Sequence, residues 1–93
     1  MKRIHVVVRG RVQGVYYRKA AEEKADALDC TGWIRNLTDG GVEFEVQGEN
    51  GRVDDFLRWA RRGPSAARVD EFEQDEVELT EGETDFVTSF ENG

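Results

Sequence analysis

Proline, cysteine and histidine each occur once in this 93-residue chain, and lysine stands only at positions 2, 19 and 24. The lone Cys30 excludes an internal disulfide and a cysteine-based zinc site; it reads as a small buried apolar residue just after a helix. His5 has no Cys, Asp or Glu companion at ligand spacing and reads as structural, neither metal ligand nor base. No run of about 18 apolar residues is present, which excludes a hydrophobic membrane-spanning helix. The first apolar stretch, Ile4 to Val8, is too short for a secretory signal and leads straight into Arg9. A cytoplasmic location, no contact with membrane and a single domain over residues 1–93 are the resulting expectations.

What is abundant is charge. Charged residues make up 35% and hydrophobic ones 38%, a polar balance, yet the apolar residues fall in periodic blocks that a disordered chain would lack. The net charge of −7 is unevenly spread: residues 63–93 hold ten acids against the single cation Arg68, and the rest of the chain is slightly basic. Arg9, Arg11, Arg18, Lys19 and Arg35 all fall in the first 35 positions, where a site for an anion is expected. An acid-rich, lysine-poor composition also suits concentrated salt, where screening removes self-repulsion, and points to a salt-loving prokaryotic host. The plainer alternative is an ordinary acidic cytosolic protein.

Ile4 to Val8 is β-branched and short, hence a strand, and Gly10 to Gly14 should break it. From Tyr17 to Leu28 apolar residues recur at helical spacing, with Asp29 as a left-handed stop. Thr31 to Leu37 reads as a strand, Thr38-Asp39-Gly40-Gly41 as a hairpin turn, and the alternating Val42 to Gln47 as a strand with one wet face. Gly48 to Gly51 reads as a break. Val53, Phe56, Leu57 and Ala60 form the stripe of a second helix, which Gly63-Pro64 ends. Val69 to Leu79 is a long acidic strand whose alternation slips midway, which suggests a bulge, and Asp85 to Phe90 a short last strand. The order βαββαβ plus one strand predicts an α+β, ferredoxin-like sandwich: an antiparallel sheet with both helices on one face. Trp33 and Trp59 are expected in core or helix-to-sheet packing. That fold hosts many functions and decides none of them.

The chemistry sits in Gly10-Arg11-Val12-Gln13-Gly14-Val15-Tyr16-Tyr17-Arg18. Glycines between a strand and a helix let backbone amides turn toward one point, a nest that holds phosphate with help from the helix dipole. Arg18, in the first turn, can grip the same anion with its guanidinium fork. Asn36, at the end of the second strand, can hold a water through its amide oxygen. A cradle, an arginine and a water-orienting amide suffice for phosphoryl transfer to water from an activated leaving group.

The stretch from Val8 to Arg18 closely resembles the first signature of the acylphosphatase family. Gly32-Trp33-Ile34-Arg35-Asn36-Leu37-Thr38-Asp39-Gly40-Gly41-Val42, with Gly48 following, resembles the second. Gly63-Pro64 and Ala67-Arg68-Val69 resemble the family's exit from its second helix, so the likeness covers nearly the whole chain. It implies hydrolysis of acyl phosphates to a carboxylate and inorganic phosphate. The phosphate would lie in the loop formed by Val12, Gln13, Gly14, Val15, Tyr16, Tyr17 and Arg18. Arg18 and Asn36 would be catalytic, Asn36 orienting the attacking water, with no covalent intermediate, metal or cofactor. The expected partner is the small acyl phosphate alone, with broad acyl tolerance, acting on a monomer. Tyr17 stands where the family usually has phenylalanine, Ile34 replaces a smaller residue, and the last strand lacks the arginine and final tyrosine often found there.

Two rivals share the topology. An RNA-recognition module would need aromatic residues and basic charge on its open sheet face; here that face of the third strand should show Glu43, Glu45 and Gln47, so no nucleic acid is expected. A catalytically idle ligand-sensing domain would have no need of both Arg18 and Asn36. Arg9, Arg11 and Arg35 are expected to be exposed charges, at most guiding an anion.

Overall fold

The periodicities translate into β1 (Lys2–Arg11), α1 (Tyr17–Ala27), β2 (Thr31–Asn36), β3 (Val42–Gly48), α2 (Asn50–Ala60), β4 (Arg68–Val77) and β5 (Phe86–Thr88). These come from a computed structural model, which describes residues 1–90. The five strands lie in the order β4-β1-β3-β2-β5. Ile4, Val6 and Val8 of β1 and Val42, Phe44 and Val46 of β3 are buried in one core with Tyr17, Ala21 and Ala25 of α1 and Val53, Phe56, Leu57 and Ala60 of α2. One sheet face therefore carries both helices, as the alternation in β3 requires. Edge-on contact of Phe44 with Phe56, at 5.3 Å between ring centres, pins α2 to the middle of the sheet.

The sheet is mixed and not wholly antiparallel. β1 pairs antiparallel with β3 and β4, and β2 with β3, but β5 runs parallel to β2. The chain leaves β4 pointing opposite to β2 and reverses once before β5, so parallel pairing is the only sense available. On the way Glu83 bonds Arg3 at 2.8 Å, and Gln47 bonds both the amide and the carbonyl of Thr80, tying residues 80–83 to the face without helices.

The break expected over Gly10 to Gly14 begins two residues later; β1 continues through Gly10 and Arg11 and ends there. The bulge inferred from β4 explains this. Arg9 pairs with Glu71 and Gly10 with Val69, leaving Asp70 as the extra residue. It lies near the start of β4 and not midway, and it lets Val69 and Phe72, three apart, both pack against the core. Gly10 (φ 135°) is needed there, since a Cβ would stand 2.2 Å from the carbonyl oxygen of Arg68. The second break is shorter than expected, because β3 includes Gly48 and α2 begins at Asn50.

Candidate active site

Residues Val12 to Tyr16 connect β1 to the start of α1, and the backbone of this loop alternates in hand. Gly14 has φ 73° and Tyr16, an aromatic residue, has φ 70°, whereas Val15 between them is not left-handed. Such alternation turns successive amides toward one side and forms an anion-binding concavity. No side chain caps α1 at Tyr16, and its first turn contains no acid. The first intrahelical bond is from the amide of Ala20 to the carbonyl of Tyr16, so the amides of the opening turn have no partner in the helix. Arg18 and Lys19 add two cations at the end of the helix that already carries positive partial charge, an arrangement that favours an anion between them.

The facing wall comes from β2 and its hairpin. The side-chain amide of Gln13 donates at 2.8 Å to the carbonyls of both Leu37 and Gly41, clasping the loop to the hairpin. Asp39 closes the turn by accepting from the Gly41 amide at 2.9 Å and from Arg9 at 2.9 Å. The Gly41 amide first, then Arg9, hold the Asp39 carboxyl below its ordinary pKa. This clasp brings Asn36, the last residue of β2, to the cradle. Its Oδ1 is the one buried side-chain polar atom without a hydrogen-bond partner among the described residues. An acceptor orphaned in this way costs about 1–3 kcal/mol unless a bound molecule satisfies it.

A cavity of about 170 Å³ fills the space, lined by Val12, Gln13, Gly14, Tyr16, Tyr17, Arg18, Lys19 and Asn36. Of the residues expected from the sequence only Val15 is missing from its walls. Arg18 has no carboxylate partner among the described residues; its guanidinium lies 5.6 Å from the centre of the Phe90 ring. Tyr17 anchors the helix start by donating at 2.6 Å to the Ala60 carbonyl, and burial pushes its phenol pKa far up. Lys19, which the sequence marked only as one of several early cations, also lines the cavity; its place in the first helical turn was the available signal.

The other early cations are elsewhere. Arg9 pairs with Asp39, Arg11 is exposed, and Arg35 bonds Glu43 at 2.6 Å on the open sheet face. His5 bonds the same Glu43 at 2.6 Å, and Arg3, only 2% exposed, bonds Glu45, Gln47 and Glu83. Trp33 does not enter the core as expected. It pairs with Glu45 and lies under the Arg35 guanidinium, on the open face, because Gly32 and Ile34 take the inward positions. Trp59 does pack against the core, beside Tyr17 and Phe56. Cys30 is buried, and desolvation, outweighing other influences, pushes its thiol pKa up to about 11, so it is not a nucleophile at neutral pH.

Fold and corner together define a class: a ferredoxin-like α+β protein with a concave, uncapped helix entrance on its first strand-to-helix connection and an amide oxygen facing it. The sequence model of the acylphosphatase family matches residues 4–88, and the chain belongs to that family. It is 51% identical over 87 residues to the acylphosphatase of Methylococcus capsulatus, covering 94% of this chain and 95% of that one. Its fold matches the crystal structure of the Bacillus subtilis acylphosphatase with a TM-score of 0.91 at 29% identity, over 97% of this chain and 100% of that one. For an acylphosphatase from Coxiella burnetii the TM-score is 0.87 at 36% identity, over 95% and 92%.

Proposed function

We propose that this chain hydrolyses acyl phosphates by direct attack of water, with the phosphate held in loop 12–18 by backbone amides and Arg18. The observation that carries the reading is the orphaned Asn36 Oδ1, buried in the wall of a cavity whose other side is an uncapped helix end. There it accepts a hydrogen bond from water and aims the water oxygen at phosphorus. The new bond to phosphorus forms as the bond from phosphorus to the acyl oxygen breaks; the bonding pair leaves with the carboxylate, and the water protons end on the released phosphate. A carboxylate leaving group, with a pKa of about 4, departs without a proton, so no general acid is called for. Arg18 and the loop amides stabilise charge on the phosphoryl oxygens as the bond breaks.

A reaction run without metal or cofactor is part of the same reading. In its support, no three His, Cys, Asp or Glu residues cluster at ligating distance among the described residues. A monomeric, single-domain, cytoplasmic protein that binds no nucleic acid belongs to the reading too. No described helix is long and apolar enough to cross a membrane. On the open face Arg3, His5 and Arg35 are already engaged by Glu43 and Glu45 of β3, and no free basic stripe is left there for a phosphate backbone.

Turnover of benzoyl phosphate in EDTA tests the proposal. Arg18→Ala and Asn36→Ala should each lower kcat by about 10²- to 10³-fold, the scale of one lost oxyanion donor or aligned nucleophile. Wild-type rates in both variants would refute the assignment of roles.

A further inference from the structure

Beside the cradle lies a second, larger cavity of about 440 Å³, lined by Arg18, Lys19, Glu22, Val87, Thr88 and Phe90. It shares Arg18 and Lys19 with the cradle, so the two spaces meet at those side chains. We propose that this groove between α1 and β5 is the subsite for the acyl group, with Phe90 as the contact that favours aryl over short alkyl acyl phosphates. The proposal rests on the phosphate occupying the cradle.

The floor of the cradle is closed, since Val12 and Tyr17 are each 1% exposed, and the Gln13 clasp seals the hairpin side. Two rims stay open, one at the exposed Gly14 and Tyr16 and the other at Arg18 and Lys19. The second leads into the groove, so a substituent on the phosphate that leaves past Arg18 and Lys19 enters it. Inside the groove the polar groups other than Arg18 are already engaged. Glu22 Oε2 accepts from the Thr88 amide at 3.1 Å and from its hydroxyl at 2.7 Å, and Glu22 Oε1 lies 3.6 Å from the Lys19 ammonium. With these satisfied among themselves, the groove offers an incoming group mainly apolar contact. Phe90 provides it: the ring is 82% exposed, yet it stands against the guanidinium of Arg18 at 5.6 Å. A large aromatic side chain left in water beside the site has an unused face on which a second ring can stack. A two-carbon acyl group ends near Arg18, whereas a benzoyl ring extends onto Phe90. The cradle itself stays tolerant of the acyl group, and the groove adds a several-fold bias on top.

The test compares benzoyl with acetyl phosphate as substrates, and benzylphosphonate with methylphosphonate as competitive inhibitors that report binding free of acyl reactivity. Phe90→Ala should lower both the benzoyl-to-acetyl ratio of kcat/KM and the matching inhibition ratio about fivefold, the scale of one aromatic pair. Phe90→Trp should keep or raise them. Because Phe90 is exposed, truncating it removes nothing from the core. Wild-type ratios in Phe90→Ala, with turnover intact, would overturn the subsite and leave the proposed function standing. No turnover of either substrate by folded wild type would overturn the function, and the acyl subsite with it.

Discussion

Tyr16 holds a left-handed backbone, φ 70° and ψ 16°, although it is a bulky residue and 60% exposed. That conformation costs about 1–2 kcal/mol for a residue with a Cβ. Its side chain returns little, one long hydrogen bond of 3.3 Å to Glu23. The strain sits where the loop turns its amides inward, a place where functional geometry commonly overrides local preference. Tyr16→Gly should therefore raise stability by about 1 kcal/mol, since the relief is partly offset by the extra freedom glycine has when unfolded. Tyr16→Ala, which keeps the strain, should not. Urea unfolding of both variants measures the difference, and a glycine variant less stable than the alanine one would defeat the strain argument. That Arg18 and Asn36 would line one cavity was legible in the sequence because each sits inside a contiguous signature at a fixed step from a glycine turn. Gln13 was expected in the phosphate loop, but not as a clasp. Its clasp on Leu37 and Gly41 joins positions 24 and 28 residues away, and no local pattern encodes such a bond.

Among the elements, β3 shows most clearly how pattern becomes structure and then stability. Strict alternation put Val42, Phe44 and Val46 under the helices and Glu43, Glu45 and Gln47 on the open face, as expected from period two. What alternation could not supply was the partners, which come from β1, β2 and the 80–83 segment. Burial is the largest single influence on Glu43 and pushes its pKa up; hydrogen bonds from His5 and Arg35 outweigh it, and the net shift is below the ordinary 4.5. Glu83 is likewise lowered, burial opposing and the bonds from Arg3 and Thr31 prevailing. A carboxyl with a depressed folded pKa binds its proton more readily when unfolded. Its contribution to stability is thus present above pH 4.5 and is lost as pH falls through the folded value. The urea midpoint should fall on acidification below that point, and Glu43→Gln should flatten the fall while lowering the plateau at neutral pH. An acid limb of unchanged steepness in Glu43→Gln would place the titration elsewhere. The bulge at Asp70 was visible as a slip in the alternation of β4, but its position was not, because two polar residues in a row leave the register unmarked until β1 is laid beside it.

At the scale of the whole molecule the charge is segregated. The anion cradle opens at the start of α1, while β4, at the far edge of the sheet, carries Glu71, Glu73 and Asp75 on one face at alternate positions. Neighbouring acids on one face of a strand are about 7 Å apart, within a Debye length at ordinary ionic strength, and they repel. Arg9 and His5 stand opposite Glu71 and Asp75, which leaves the balance of the acids to be screened by salt. Molar KCl should therefore raise Tm by several degrees, the size of a change of about 1 kcal/mol in a domain of this length. A flat or falling Tm would remove the case for a salt-adapted surface. The two sheet edges have a consequence that belongs to suspensions more than to folds. β4 presents a row of acids to any incoming strand, and β5 offers three residues of ladder, too few to template one. Neither edge invites strand-to-strand pairing, and a net charge of −7 sets one molecule against another. Their second osmotic virial coefficient should be positive in dilute buffer and shrink as salt screens the charge.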